Sequence, residues 1–558
     1  MILVLISWIL IFYFFLSFGI SFSNILKLKV ENSILNALVG MVAQLLFLTT
    51  AAFFTNLGLE IFLLNLVISS FLTFYFKEDF RRNWSSILSD FRAFSVTTKI
   101  LFYIILVSSA YKCAQIPFIL DNESYYIQTI KWLNEHGFVK GLANLNIAFG
   151  QTSGWHILQS GLNFNFISNR FNDLNGFLLV VCAFYFLSIF NENYKINKTY
   201  HWSIFILVYN VLTFQFINSP SPDLPIFLLG QLIFIQFLKK ELSSSDIKMT
   251  VLLFMFLCFI KITIAPIGLL IFYIIYKQKK QMLFFLISVS IFGILWVSKN
   301  IILTGFPFYS FSFLPYDCDW IVPKKLMENI IFMIQNHEFL GINNLQNLTV
   351  FEKFKIWMNF GGINGIFNKG IIVLLLVFPF LKLFRNYLQY KILYVCILMH
   401  FITIYFISPQ FRFFLIDFIF LASVTLAQIV IFLKLKIKQL ELLLLIPIIT
   451  PIFLIYFIDL KSLTENKYNQ QAEKVSWQQI YLPAQNSKFY DLKFETINLG
   501  NLEFNSPKNT TFIYATADGK LPCVNKNQIE YYQKKLQIMP QLRTKNLGDG
   551  FISKNISH

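Results

Sequence analysis

The sequence predicts an all-α bundle of about 13–14 membrane-spanning helices with a small C-terminal α/β domain on the outer side. Three observations predict it. Of the 558 residues, 56% are hydrophobic and only 13% are charged, whereas about a quarter charged is usual for a soluble chain. The apolar residues come in blocks of about 15–22, the length that crosses a bilayer as a helix. Beyond residue 460 the blocks stop, and polar, β-prone stretches such as "TTFIYAT" (510–516) take over.

In order, the blocks predict spans at 2–22, 34–54, 59–76, 100–118, 176–190, 202–217 and 224–238. They continue at 249–262, 264–276, 282–300, 371–386, 392–407, 413–432 and 441–459. The first block has no basic stretch before it and no small-residue cleavage site after it, so it reads as a retained span rather than a signal peptide. The stretch 249–276 is either one long tilted helix or two short helices turning near Lys261 and Pro266. Charge arbitrates, because cytoplasmic turns collect Lys and Arg. The turns with Lys27/Lys29, Lys77/Arg81/Arg82/Arg92, Lys195/Lys198, Lys239/Lys240/Lys248, Lys277/Lys279/Lys280, Lys382/Arg385 and Lys434/Lys436/Lys438 share one side only if 249–276 crosses twice. This predicts a hairpin with Lys261 near the outer surface, and an N-terminus and C-terminal domain that are both extracytoplasmic. The chain then divides into extra spans at 1–99, a transmembrane core at 100–460 with outer loops 119–175 and 303–370, and the outer domain 461–558.

The formal net charge of +17 does not indicate a nucleic-acid partner, since no loop interleaves aromatics with a dense basic run. The six cysteines show no metal-like spacing, although Cys318 and Cys523 both fall on the predicted outer side, where an oxidising compartment would let them pair. "FGGINGIFNKG" (360–370) lacks the Lys-Ser/Thr of a P-loop and reads as a flexible re-entry loop.

Polar residues with chemical potential gather in the outer segments. Asp121 and Glu123 stand where a span meets a helix beginning near Ser124. In that helix Tyr126, Ile130 and Leu133 recur at i, i+4, i+7, with Gln128, Lys131 and Glu135 opposite. Such a helix lies flat at the interface, with Tyr125, Tyr126 and Trp132 at headgroup depth. Carboxylates at its start either cap the helix or do chemistry. "GLANLN", which contains Asn144, follows as loop, and then a second short amphipathic piece carries His156. Asp223 closes the rigid turn "NSPSPD" at an N-cap position. Lys261 is flanked by apolar residues, a costly placement unless it faces a cavity, finds a partner or snorkels. Lys299 ends a span on the outer side, and Asp319 and Trp320 lie in the long outer loop. Arg412 opens a span among aromatics, where a guanidinium can hold a phosphate with two hydrogen bonds.

The order of these motifs is "DNESYYIQTIKW", "GLANLN", "SPSPD", "KNIILTGFPFY…DWIVPK", "SPQFRFF" and "LPC…LRTKNLGDGF". It resembles a bacterial family of polytopic proteins found among surface-polysaccharide genes, itself similar to the GT-C glycosyltransferase superfamily. The resemblance runs from Asp121 to Phe551. It implies a membrane glycosyltransferase of the bacterial cytoplasmic membrane, with a polyprenyl-phosphate-linked sugar donor and a glycan acceptor on the outer face. It implies Asp121 as the catalytic acid, with Glu123 beside it. Lys261, Lys299 and Arg412 are the candidates for the donor phosphate, and Tyr125, Gln128, Trp132, Asn144, His156, Asp223, Asp319 and Trp320 are the candidates for substrate contact. No cofactor is required under this reading. A divalent cation is an option, for which Asp121, Glu123, Asp223 and Asp319 would supply oxygens. The chain departs from the superfamily pattern in placing about three spans ahead of the span that leads to its acid. Two alternatives belong to other classes. An O-antigen-type polymerase or ligase calls for Arg and His in a large outer loop, where His337 is the sole histidine between residues 305 and 370. A transporter or flippase of lipid-linked sugars calls for internal repeats or paired broken helices.

Overall fold

The computed structural model describes all residues except 31, 168–172, 198–200, 340–341, 343–346, 458–475, 511 and 557–558. Eight helices among them are long and apolar enough to cross a membrane, or nine if one sharply bent pair counts as a span.

α1 (Ile2–Ile25) and α2 (Ser33–Ala52) pack backbone to backbone. A Cβ on Gly19 would lie 1.8 Å from the Asn36 carbonyl oxygen, and one on Gly40 would lie 1.7 Å from that of Phe15. Close approach between small residues replaces the hydrophobic drive that two lipid-facing helices lack. α3 (Leu59–Tyr75) then bends by 92° into α4 (Lys77–Ala93). The sequence reading had a basic turn here, and the structure has a helix. Phe80, Trp84, Ile87 and Phe91 recur at helical spacing and form an apolar stripe, while Lys77, Arg81, Arg82 and Arg92 are exposed. α5 (Val96–Cys113) starts from Ser95, whose hydroxyl caps the Thr98 amide.

Three short helices follow: α6 (Ile127–His136), α7 (Leu142–Leu145) and α8 (Gly154–Leu162). α6 does not lie open on an interface as its pattern suggests. Part of its polar side is also covered: Gln128 is as buried as Ile127, while Lys131 is half-buried and Glu135 exposed. α9 (Leu174–Asn197) leads to a segment that departs from the predicted span at 202–217. Trp202–Tyr209 and Phe214–Phe216 are 3₁₀ helix, with only α10 (Asn210–Thr213) α-helical between them. At about 2.0 Å per 3₁₀ residue these pieces still cover roughly 28 Å. Burial on all sides favours this extension, and β-branched Ile204, Ile206 and Val208 weaken the regular helix.

α11 (Asp223–Phe237) is buried along its whole length. α12 (Ser244–Ile260) and α13 (Gly268–Lys277) form the two-armed hairpin. Lys261 breaks the first arm in extended conformation (φ −153°, ψ 111°), and a 3₁₀ turn with Pro266 follows. The return is fixed at the base of the arms, where Gln281 Nε2 donates to Ser244 Oγ at 2.8 Å. Several basic turns meet at this same end: the Lys29 amide bonds Ser245 Oγ at 2.8 Å, Lys248 Nζ bonds the Leu26 carbonyl at 2.9 Å, and Asn24 Nδ2 bonds Asp79 at 3.1 Å. Lys198 lies outside the described residues.

α14 (Met282–Thr304) ends at Gly305 with φ +80°, and α15 (Lys324–Gln335) and α16 (Val350–Met358) occupy the long loop. α17 (Gly362–Val377) begins inside the glycine-rich stretch. That stretch is therefore helical rather than a re-entry loop, held where Asn368 Nδ2 donates to the Trp357 carbonyl at 2.8 Å. α18 (Lys382–Asn386), α19 (Leu388–Ile407), α20 (Phe411–Phe432) and α21 (Ile437–Phe457) complete the helical body.

The tail, described from residue 476, holds two separate antiparallel hairpins joined through α22 (Lys526–Tyr531). β1 (Phe494–Leu499) pairs with β2 (Leu502–Pro507), and β3 (Ile538–Leu542) pairs with β4 (Phe551–Asn555). The β-prone stretch 512–516 is not a strand, because the Thr516 and Ala517 amides are spent on the Glu123 carbonyl at 2.8 and 3.0 Å. The tail shares one apolar core with segments 132–149 and 303–327, in which Phe504, Tyr532 and Phe551 pack among Trp132, Leu142, Phe149, Leu303 and Val322. Cys318 and Cys523 are both free thiols, contrary to the pairing the sequence allowed.

Candidate functional site

Four charged side chains from four distant stretches meet where helices begin and end. Asp223 is the first residue of α11, presented by the turn in which Ser221 Oγ accepts its amide at 3.3 Å. Lys261, freed from helical geometry at the hairpin tip, forms a short ion pair with Asp223 and sits 3.8 Å from the Phe413 ring centre. Arg412, in the first turn of α20, donates from Nε to Gln410 Oε1 at 2.9 Å. Its Nη1 reaches Asp121 Oδ2 at 2.6 Å and lies 3.7 Å from Asp223 Oδ2. The charges therefore alternate in the order Asp121, Arg412, Asp223, Lys261 and cancel. Mutual pairing is what lets them stand at the edge of an apolar body. Asp223 is 2% exposed and serves as the floor, whereas Asp121 and Arg412 keep 28% and 25% of their side chains accessible. The open edge of the cluster is thus the Asp121–Arg412 contact. Burial works against the charge of Asp121, but the Arg412 guanidinium beside it, with Lys261 beyond, holds its carboxyl below the usual carboxylate range.

A π-helical turn, Asn122–Tyr126, separates Asp121 from α6. It brings Tyr126 and Tyr125 against His156, with ring centres 4.8 and 6.1 Å away. Burial, and next the charge of nearby Lys299, drive His156 down to about 3, so its ring is neutral. Of the three predicted phosphate-binding cations, Lys261 and Arg412 are in the cluster. Lys299 stands behind, 3% exposed, with Nζ on the Thr152 carbonyl at 2.5 Å. Among the described residues it forms no ion pair.

Glu123, predicted beside Asp121 in the chemistry, is fully buried and engaged elsewhere. Its carboxylate accepts from Ser487 Oγ at 2.5 Å, the Lys488 amide at 3.1 Å and Asn122 Nδ2 at 3.1 Å. Burial pushes this carboxyl up, and burial also pulls the neighbouring Lys488 ammonium down to about 8. Other predicted contact residues are likewise occupied by the protein itself. Gln128 donates to the Ala517 and Gly519 carbonyls at 3.1 and 2.9 Å. Asn144 donates to the Trp320 carbonyl at 2.8 Å and accepts from Ser553 at 2.8 Å. Asp319 pairs with Arg543 at 2.8 Å, and Lys140 and Arg543 stand over the Trp320 ring. Trp132, expected at headgroup depth, is 1% exposed and packs edge-on against Phe551.

The sequence reading did not single out Gln410 or Phe413, although both lie in the quoted "SPQFRFF". It also passed over the buried pair His400 and Asp417, marked only by a histidine and an aspartate inside apolar helices. No group of three or more His, Cys, Asp and Glu among the described residues is arranged to hold a metal. The four acids named for a divalent cation do not converge as a set: Asp121 and Asp223 share Arg412, Glu123 faces the tail, and Asp319 faces Arg543.

No curated protein and no solved structure matches the chain. The model of a family described as a domain of unknown function, DUF8201, matches residues 1–420, a span that holds all four members of the charged cluster and ends before the tail. By that match the chain belongs to the DUF8201 family.

Proposed function

We propose that the chain is a multi-pass glycosyltransferase of the bacterial cytoplasmic membrane, moving a sugar from a polyprenyl-phosphate donor to a lipid-linked or surface glycan on the outer face. The observation that carries the reading is the accessible Asp121–Arg412 pair, backed by Lys261, in a body of apolar helices. The hairpin tip bears Lys261 and its base joins the basic turns, so the cluster and those turns lie at opposite ends of α12, about 25 Å apart at helical rise. The charge rule supports an outer position for the cluster in this reading.

The chemistry asks for a base and a cationic cradle. Asp121 takes the proton of the acceptor hydroxyl as that oxygen attacks C1 of the sugar. The bond from C1 to the phosphate oxygen breaks, and the phosphate leaves with the electron pair. Arg412 and Lys261 neutralise the charge that develops there, and Lys299 stands behind them on the Thr152 carbonyl. In the resting protein Arg412 weakens Asp121 as a base, because an adjacent opposite charge favours the carboxylate. A donor phosphate competes for the same guanidinium, so donor binding itself releases the carboxylate and raises its proton affinity. Glu123 takes no part in proton transfer in this scheme and holds the π-helical turn in place.

The test is Asp121→Asn in the native host, with membrane levels of the protein matched. Loss of a surface sugar with accumulation of its lipid-linked precursor supports the transferase. An unchanged glycan at matched protein level removes Asp121 from the chemistry and the proposal with it.

A further inference from the structure

His400 and Asp417 lie outside the charged cluster, deep between α19 and α20, with side chains 1% and 0% exposed. His400 Nδ1 and Asp417 Oδ2 are 2.6 Å apart, and His400 Nε2 is 3.1 Å from the Thr263 carbonyl oxygen. A carbonyl only accepts, so Nε2 carries a proton and donates it. The other shared proton lies between Nδ1 and Oδ2. Whichever atom holds it, the pair is neutral overall, so an apolar bundle tolerates it.

The position of Thr263 gives this pair its significance. It belongs to the 3₁₀ turn Ile262–Ile267, immediately past the break at Lys261, where carbonyls have lost regular helical partners. Asp417 is on the same helix as Arg412, five residues on, and His400 is on the helix that leads through Ser408 to Gln410. A single imidazole thus ties together the three elements that deliver Lys261, Gln410 and Arg412. Among the described residues Asp417 Oδ1 has no hydrogen-bond partner, so the bond to His400 is what fixes this carboxyl group.

We propose that His400 and Asp417 are a positioning brace, which sets the two cluster cations at a common anion site through hydrogen bonds rather than through charge. The anion site rests on the transferase reading, but the brace does not. Neither residue touches Asp121.

The test uses full-length protein in detergent with His400→Ala, Asp417→Ala and Asp417→Asn. An asparagine amide donates to Nδ1 of a neutral imidazole and leaves the Nε2 bond to Thr263 intact. Two readouts are taken: amide hydrogen exchange over 261–267 and 408–413, and binding of dodecyl phosphate. Both alanine variants are expected to speed exchange in those two segments and to weaken dodecyl phosphate by about tenfold, the size of one lost hydrogen bond, with Asp417→Asn restoring both. Wild-type exchange in His400→Ala, or an Asp417→Asn protein as impaired as Asp417→Ala, overturns the brace. If wild-type protein fails to bind dodecyl phosphate while exchange follows the expected pattern, the brace stands and the anion site falls.

Discussion

Arg412 and Asp121 are 291 positions apart in the chain, yet Nη1 of one donates to Oδ2 of the other at 2.6 Å. Their contact joins the start of α20 to the turn that precedes α6, and it is the most accessible part of the charged cluster. What replaces Arg412 therefore decides between a structural and a chemical role.

Arg412→Lys keeps the charge but loses the fork that serves Asp121, Asp223 and Gln410 together. On the proposed transferase reading, transfer is expected to fall at least tenfold in Arg412→Lys and about a hundredfold in Arg412→Gln, the latter being the low end of the loss when one charge-stabilising donor is removed. Both proteins are expected in the membrane at normal amounts. Initial rates with a lipid-phosphate sugar donor check this, and equal rates in all three proteins would confine Arg412 to packing.

Glu123 differs from Asp121 in the sign of its pH dependence. Its carboxyl is raised by burial, so as pH climbs from the ordinary value of 4.5 the unfolded chain gives up its proton first. The contribution of this group to stability is therefore present at low pH and is lost as pH rises through the raised value. Glu123→Gln removes that slope, and with its oxygen at the Oε1 position it still accepts from the Lys488 amide and Asn122 Nδ2 while its own amide donates to Ser487 Oγ. Glu123→Ala leaves buried donors unmet at a cost of about 1–3 kcal/mol, and protease cleavage between residues 486 and 519 should accelerate. Thermal unfolding over a pH series, with limited proteolysis, separates the two variants.

Gly40 packs its backbone against Phe15. Gly40→Leu has no room beside that carbonyl and is expected to reduce the amount of folded protein several-fold, with Gly40→Ala intermediate. Size-exclusion yield after detergent extraction is the measurement, and an undiminished yield would mean that α1 and α2 separate freely.

The hairpin predicts a cross-link. Cysteines at Ser244 and Gln281 should be joined by a short bis-maleimide, whereas one continuous helix from 244 to 277 would place these positions at opposite ends.

Much of the body was legible because its signals are local. Apolar blocks marked most of the helices, and the distribution of Lys and Arg decided the turn at Lys261. Each member of the charged cluster stood out alone: Asp121 at the end of a span, Asp223 in a rigid turn, and Lys261 and Arg412 in apolar company. Their pairing did not, because Asp121 with Arg412 and Asp223 with Lys261 are contacts between helix ends far apart in the chain. Residues 202–217 misled for a physical reason: hydropathy registers burial, and a buried 3₁₀ thread is as apolar as a helix. Glu123, Gln128 and Asn144 looked free for substrate because nothing in their neighbourhood reveals that the tail comes back to bind them. His400 and Asp417 were overlooked inside blocks read only for their length.

The clamp on Glu123 has a consequence for biosynthesis. Chains emerge N-terminus first, and the residues that grip Glu123 lie between Ser487 and Ala517. The turn beside Asp121 is therefore completed only after residues 487–517 have been made and have packed against it. A chain interrupted before that point leaves the turn beside Asp121 without its clamp, so the shape of this site depends on a segment made 364 residues later.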